Sequence, residues 1–154
     1  MTEPSAGACV PPELDELLCF AVYSAGLAFT RAYRAPLEAM GLTYPQYLVM
    51  VALWSEDGVM VSRLGDRLSL DSGTLTPLLK RLEAMGLLER RRAQEDERRV
   101  IISLTPEGRA LGDKAADVTR CIGNAIGLSP GEITDLTGTL QRLRSHLDAA
   151  GRKA

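Results

Sequence analysis

The order of signals across residues 60–104 constrains the fold more than anything else in the chain. Two helical patterns come in quick succession, then two short strand patterns joined by a polar loop. Within residues 70–86 (LDSGTLTPLLKRLEAMG), Leu75, Leu78, Leu79 and Leu82 fall at the i, i+3, i+4, i+7 spacing of one helical face. The opposite face carries Gly73, Thr76, Pro77, Lys80, Arg81 and Ala84, with Ser72 and Thr74 near its start. Small and hydroxyl side chains let the first turns of a helix approach base edges, while cations further along meet phosphates. Ahead of this helix, residues 60–68 predict a shorter one with Val61, Leu64 and Leu68 inward. A turn over residues 69–71 sets the two at helix-turn-helix spacing. Residues 87–92 and 100–104 predict strands, and the loop 93–99 joins them as a hairpin carrying Arg90, Arg91, Arg92, Arg98 and Arg99. Each piece alone has a plain alternative, a solvated amphipathic helix or a solvated ribbon. Together they make a winged helix-turn-helix, whose helix enters a major groove and whose ribbon tip enters a minor groove.

The charge balance rests such binding on a few placed groups rather than on a basic surface. Lys and Arg total 18 against 20 Asp and Glu, a net charge of −2 at pH 7, and Glu89, Glu95, Asp96 and Glu97 counter the ribbon locally. At 154 residues the chain is expected to form one domain with a substantial core. Residues 1–12, rich in proline and small residues, predict a flexible leader without the basic start and apolar stretch of a secretory signal. The uncharged run of residues 17–30 falls short of the roughly 20 apolar residues of a membrane helix, so a cytoplasmic protein is the expectation. Cys9, Cys19 and Cys121 are an odd, widely spaced set that fits neither a disulfide framework nor a zinc site. His146 is the sole histidine, which argues against metal and histidine-based enzyme chemistry, and no cofactor is expected.

Helices flank the winged segment. Residues 13–40 predict a long one, with Pro36 interrupting it near its end and Gly41 stopping it. One side carries Leu14, Leu17, Leu18, Ala21, Val22 and Ala25, and the reverse side, with Cys19, Phe20, Tyr23 and Leu27, is uncharged too. A helix apolar all round is covered on all sides, and a second copy of the chain is the natural cover. Residues 43–55 predict a core helix capped by Thr43 with Pro45 in its first turn, followed by an Asp57-Gly58 turn. Thr105 and Pro106 open a helix that runs to about 126, stopped by Gly127. Ser129 and Pro130 open the last, which runs to about 149 with Ile133, Leu136, Leu140, Leu143 and Leu147 as its packing stripe. The fold expected is mainly α with a small β-hairpin wing. Residues 13–154 form a single domain, the winged helix-turn-helix covers about 43–105, and a dimer is built from the terminal helices at about 13–40 and 106–150. Pro77 admits two helix starts, Ser72 as cap with the proline inside or Thr76 as cap with the proline first, and the longer helix with a mild bend is the expected form.

The winged segment, with Asp96-x-Arg98 followed by Leu104-Thr105, resembles the MarR family of bacterial transcription regulators. Residues 18–24 (LCFAVYS), 41–47 (GLTYPQY) and 70–79 (LDSGTLTPLL) resemble its OhrR-type organic hydroperoxide sensors, and the resemblance spans about 14–147. It implies a dimeric repressor that leaves its operator when an N-terminal cysteine is oxidised by organic hydroperoxide. Carried onto this chain, the cysteine is Cys19, the tyrosines of its pocket are Tyr33 and Tyr44 with Tyr23 close by, the wing-tip arginine is Arg98, and Asp96 is its supporting carboxylate. In a two-cysteine subclass a C-terminal cysteine of the other subunit captures the oxidised sulfur as a disulfide. Cys121 has the position for that role, with Cys9 or a small cellular thiol as the other choices.

Tyr23 lies one turn beyond Cys19 and can sit beside it within one chain. Tyr33 lies fourteen residues on, about 21 Å along a straight helix, so a shared pocket requires an antiparallel partner helix. Phenol hydroxyls donating to sulfur favour the thiolate, the form that reacts. The expected partners are double-stranded operator DNA, an organic hydroperoxide as signal and a second copy of the chain, with no membrane. The DNA-contacting set is Ser72, Thr74, Thr76, Lys80, Arg81, Arg92, Asp96, Arg98 and Arg99. Two other readings compete: a MarR-type repressor governed by a small phenolic ligand, and a thiol peroxidase using Cys19. The second is disfavoured because no histidine or cation stands near Cys19 in the sequence.

Overall fold

The computed structural model describes residues 12–94, 96 and 98–151, so Cys9, Glu95, Glu97 and all but the last residue of the expected leader lie outside the described residues. The chain divides into two units, Met1–Asp113 and Lys114–Ala154. In the first, a 3-10 turn at Leu14–Glu16 gives way at Leu17, whose backbone is extended, to helix α1, Leu18–Glu38. The helix expected over 13–40 is therefore shorter at its front. No side chain caps its start, and an unbroken apolar run carries no boundary signal. At its far end the Gly41 N–H reaches the Glu38 carbonyl and the Leu42 N–H reaches that of Leu37, so Gly41 ends the helix as expected. Helix α2, Tyr44–Ser55, has Pro45 in its first turn, and the buried Gln46 side chain accepts the Thr43 N–H at 2.9 Å. Val49, Met50 and Leu53 are wholly buried, which makes α2 the spine of this unit.

Strand β1, Val59–Met60, is too short for alternation to register in a sequence. It exists because Val59 pairs with Ile102 and Met60 with Ile101. Helices α3, Val61–Leu68, and α4, Ser72–Ala84, precede strands β2, Leu88–Arg92, and β3, Val100–Leu104. The hairpin pairs Leu88 with Leu104 and Arg92 with Val100, in a sheet of order β1-β3-β2. Helix α4 takes the longer of its two forms, but Asp71 rather than Ser72 is the cap. Its Oδ1 accepts the Thr74 N–H at 2.9 Å and its Oδ2 the Thr74 hydroxyl at 3.1 Å. With Leu75, Leu79 and Leu82 anchored in the core, Pro77 sits inside the helix on the exposed side, and Gly73, whose carbonyl a proline cannot serve, is exposed as well.

The root of the wing is tightly built. Helix α4 ends at Gly86, φ +72°, with the Gly86 N–H on the Glu83 carbonyl and the Leu87 N–H on that of Leu82, the paired closure that favours glycine. The Leu87 carbonyl in turn accepts the Thr105 N–H at 3.2 Å. Thr105 caps α5, Pro106–Leu111, by accepting the Gly108 N–H at 3.0 Å. Gly108 lies so close to β2 that a Cβ there would stand 1.9 Å from the Leu87 carbonyl oxygen. Asp57 accepts the N–H groups of Gly58 and Leu104, each at 2.8 Å, and forms an ion pair with Arg109. The single helix expected over 106–126 is broken. A Cβ on Gly112 would lie 3.2 Å from the Trp54 ring, and the chain tightens there into a 3-10 turn, Gly112–Lys114.

The second unit holds α6, Ala115–Ile126, ended by the left-handed Gly127, and α7, Pro130–Gly151. At the front of α7, Glu132 accepts both the N–H and the hydroxyl of Ser129. Leu136, Leu140 and Leu147 of its stripe are exposed. Among the described residues no helix is long and apolar enough to cross a membrane.

Candidate functional site

One face of the first unit brings together the groups expected to meet DNA. Ser72, Thr74, Lys80 and Arg81 are exposed on α4, and half-buried Thr76 lines a depression of about 310 Å³ with Arg90, Arg98 and Arg99 of the wing. The Thr74 hydroxyl spends its proton on Asp71, so toward a base it can act only as an acceptor. The Asp71 carboxyl is held below its ordinary value, chiefly by the Thr74 N–H and then by the Thr74 hydroxyl.

The arginines of the ribbon differ in freedom. Arg90 is fixed to Glu83 of α4, with contacts of 2.7 and 2.8 Å, and Arg91 to Glu89 at 2.7 Å. Asp96 accepts the Arg98 backbone N–H at 3.0 Å and pairs with the Arg99 guanidinium at 3.6 Å. It therefore shapes the wing tip through the Arg98 backbone and the Arg99 side chain, and among the described residues the Arg98 side chain has no ionic partner. A carboxylate two residues before a backbone N–H closes a local turn more readily than it reaches the following side chain. On α4 and the wing, the side-chain cations without an ionic partner among the described residues are Lys80, Arg81, Arg92 and Arg98.

A second cluster lies where α1 meets α2. Tyr33 stacks on Tyr44 with ring centroids 4.5 Å apart and 28° between planes, and Tyr47 leans on Tyr33 at 5.6 Å. Burial first, and the neighbouring phenols second, push the pKa values of Tyr33 and Tyr44 above the ordinary 10.0. Both therefore keep their protons at neutral pH and can donate hydrogen bonds. Tyr47, only 5% exposed, is a member that the sequence reading missed. Its place one turn after Tyr44 on the same helix was the available signal.

Cys19 is exposed in the first turn of α1, and Tyr23, 63% exposed, follows one turn later. Neither belongs to the tyrosine cluster of its own chain. Cys121 is exposed on α6.

An α4 face of small, hydroxyl and cationic groups beside an arginine-bearing hairpin defines a winged helix-turn-helix transcriptional regulator. The chain matches the family model "Transcriptional regulator SarA/Rot" over residues 31–115 and belongs to that family of MarR-like winged-helix regulators. It is 50% identical over 139 residues to the HTH-type transcriptional regulator TtmR of Methylorubrum extorquens, covering 90% of this chain and 71% of that one. It is 41% identical over 141 residues to the organic hydroperoxide resistance transcriptional regulator of Bacillus subtilis, covering 92% and 94%. Among solved structures it resembles overoxidized AbfR bound to DNA, with 37% identity, a TM-score of 0.70 and coverage of 84% and 91%. The protein is a regulator rather than an enzyme.

Proposed function

We propose that this regulator is a dimeric repressor that binds operator DNA through α4 and the wing and is released when an organic hydroperoxide oxidises Cys19. The observation that carries the reading is the layout of α1. An exposed thiol stands in its first turn, a stacked tyrosine pair is held near its other end, and residues 20–30 between them are uncharged, with Val22, Leu27 and Phe29 exposed. Gly26 lies midway between Cys19 and Tyr33, and a Cβ there would meet nothing within 4 Å. Two α1 helices crossing antiparallel at Gly26 bring each Cys19 to the partner's Tyr33 and Tyr44. The relatives support the chemistry: one is a hydroperoxide resistance regulator, and AbfR has been caught overoxidized on DNA.

In the reaction the Cys19 thiolate attacks the terminal peroxide oxygen. The O–O bond breaks, an alcohol leaves and a sulfenic acid remains. Either the Cys121 thiol of the second copy or a small cellular thiol then displaces water to give a disulfide. Apolar groups such as Phe20 and Leu27 favour alkyl over hydrogen peroxide, at about 25 cal/mol per Å² of alkyl surface covered. The deciding experiment titrates the protein's own upstream DNA before cumene hydroperoxide, after it, and after a thiol reductant. Affinity is expected to fall and then return; affinity indifferent to the peroxide overturns the reading.

Two further expectations belong here. Arg98→Ala should weaken operator binding by about 1–3 kcal/mol without altering dimerisation, as read by fluorescence anisotropy. Loss of Lys80 or Arg81 should instead flatten the salt dependence by about one unit of slope each. Sedimentation at micromolar concentration should show a dimer and no monomer, because α1 and the α7 stripe leave Leu18, Leu27, Leu136 and Leu140 exposed in the single chain. A well-folded monomer there removes the shared pocket.

A further inference from the structure

The tyrosine cluster continues beyond the pair just described. Tyr44, Tyr47 and Trp54 lie on one side of α2, within about 80° of one another at 100° per residue. They span about 15 Å from the start of the helix toward its end. Their rings are in sequence: Tyr33 on Tyr44 at 4.5 Å, Tyr47 on Tyr33 at 5.6 Å, and Trp54 edge-on to Tyr47 at 6.1 Å and 68°. Past Trp54 the contacts become stiffer. Its indole N–H donates to the Gly108 carbonyl at 2.8 Å, and Gly108 has no room for a Cβ against the Leu87 carbonyl. The Leu87 N–H is bonded to the last turn of α4, and Leu88, the next residue, begins β2. Every member lies in the first unit.

We infer that Tyr47 and Trp54 are positioning residues that couple the Tyr33–Tyr44 stack to the junction of α4 and the wing. The proposal rests on the reading of that stack as part of the peroxide sensor. Packed rings pass on a displacement because interiors are close-packed and resist compression. At the far end, Gly108 and Leu87 meet through backbone, which cannot yield as a flexible side chain would. A shift of the stack on oxidation therefore arrives where the reading helix and the wing are joined.

Trp54 is the only tryptophan in the chain, which makes the unmodified protein its own probe. On adding cumene hydroperoxide to the full-length protein, Trp54 emission should move to longer wavelength as the indole loses its carbonyl partner and meets water. Cys19→Ser should show no such change. If the protein leaves DNA with Trp54 emission unchanged, the relay is wrong.

Variants give the second arm. Trp54→Phe keeps a ring but loses the N–H, and Tyr47→Leu keeps bulk but loses the ring, while Tyr47→Phe keeps the ring. For each, Cys19 oxidation by thiol labelling and operator affinity are read on one sample. Trp54→Phe and Tyr47→Leu should oxidise fully at Cys19 while the peroxide-induced loss of affinity shrinks by roughly 2- to 30-fold; Tyr47→Phe should respond like the parent. A merely structural role would shift reduced and oxidised affinities equally, and that outcome, or release equal to the parent's, rejects the relay. If the parent itself is not released by peroxide, the sensor reading has failed and takes the relay with it.

Discussion

Cys19→Ser should bind operator DNA as the parent does and remain bound after cumene hydroperoxide. The hydroxyl is close in size to the thiol, and Cys19 is exposed on α1, so little packing is lost. What is lost is the atom proposed to take up oxygen. Couplings of this kind are typically 1–3 kcal/mol, so the parent should lose about 5- to 150-fold in affinity on oxidation and the variant essentially none. Anisotropy titrations of both proteins, with and without peroxide, measure the difference directly. Cys121→Ser should still react at Cys19 while losing the crosslinked dimer band on a non-reducing gel. Release of Cys19→Ser by the peroxide would place the sensor elsewhere, and a ligand-governed regulator would become the better account.

Gly108→Ala is the substitution expected to destabilise the fold most. The backbone of Gly108 is right-handed helical, so the obstacle is spatial: the new Cβ would lie 1.9 Å from the Leu87 carbonyl oxygen and 3.3 Å from a Leu104 methyl. Overpacking costs about 1–3 kcal/mol when side chains can yield. Here the obstructing atom is backbone, itself accepting the Thr105 N–H, which sets the expectation at the upper end, about 3 kcal/mol. Thermal unfolding should then occur roughly 6–12 °C lower. Gly123→Ala is the control, because a Cβ there meets nothing within 4 Å and its melting temperature should stay level or rise. Equal melting of the two variants would mean that α5 and the wing root move apart freely.

Most of the fold could be read from local signals. Gly41 and Gly86 mark helix ends because the left-handed closure needs a residue without a Cβ. Thr105 and Pro106 mark a helix start by chemistry confined to a single turn. Features defined by distant partners were not legible. Strand β1 is a strand only through β3, and the break at Gly112 falls where the helix passes close to the distant Trp54 ring. The start of α1 was misplaced because no capping side chain marks it. At the sites, the residue types on α4 followed from periodicity, and Tyr33 and Tyr44 followed from resemblance. Asp96 lies in the wing, where it accepts the Arg98 backbone N–H and pairs with Arg99, and a sequence shows proximity along the chain but not which donor a carboxylate prefers. Trp54 reads as ordinary core because nothing in its own neighbourhood shows what its ring touches, and the one local signal for Tyr47 was its place a turn after Tyr44.

The exposed length of α1 also bears on how much of this protein a cell can hold. A lone chain presents Leu18, Val22, Leu27 and Phe29 to water, the kind of surface by which proteases and chaperones recognise unfinished proteins. Pairing through α1, as proposed above, would hide it, and pairing follows mass action. Scarce copies are therefore the vulnerable ones, and abundant copies shelter one another. On that pairing, lifetime would rise with abundance, and a pool large enough to pair would endure to occupy its operator.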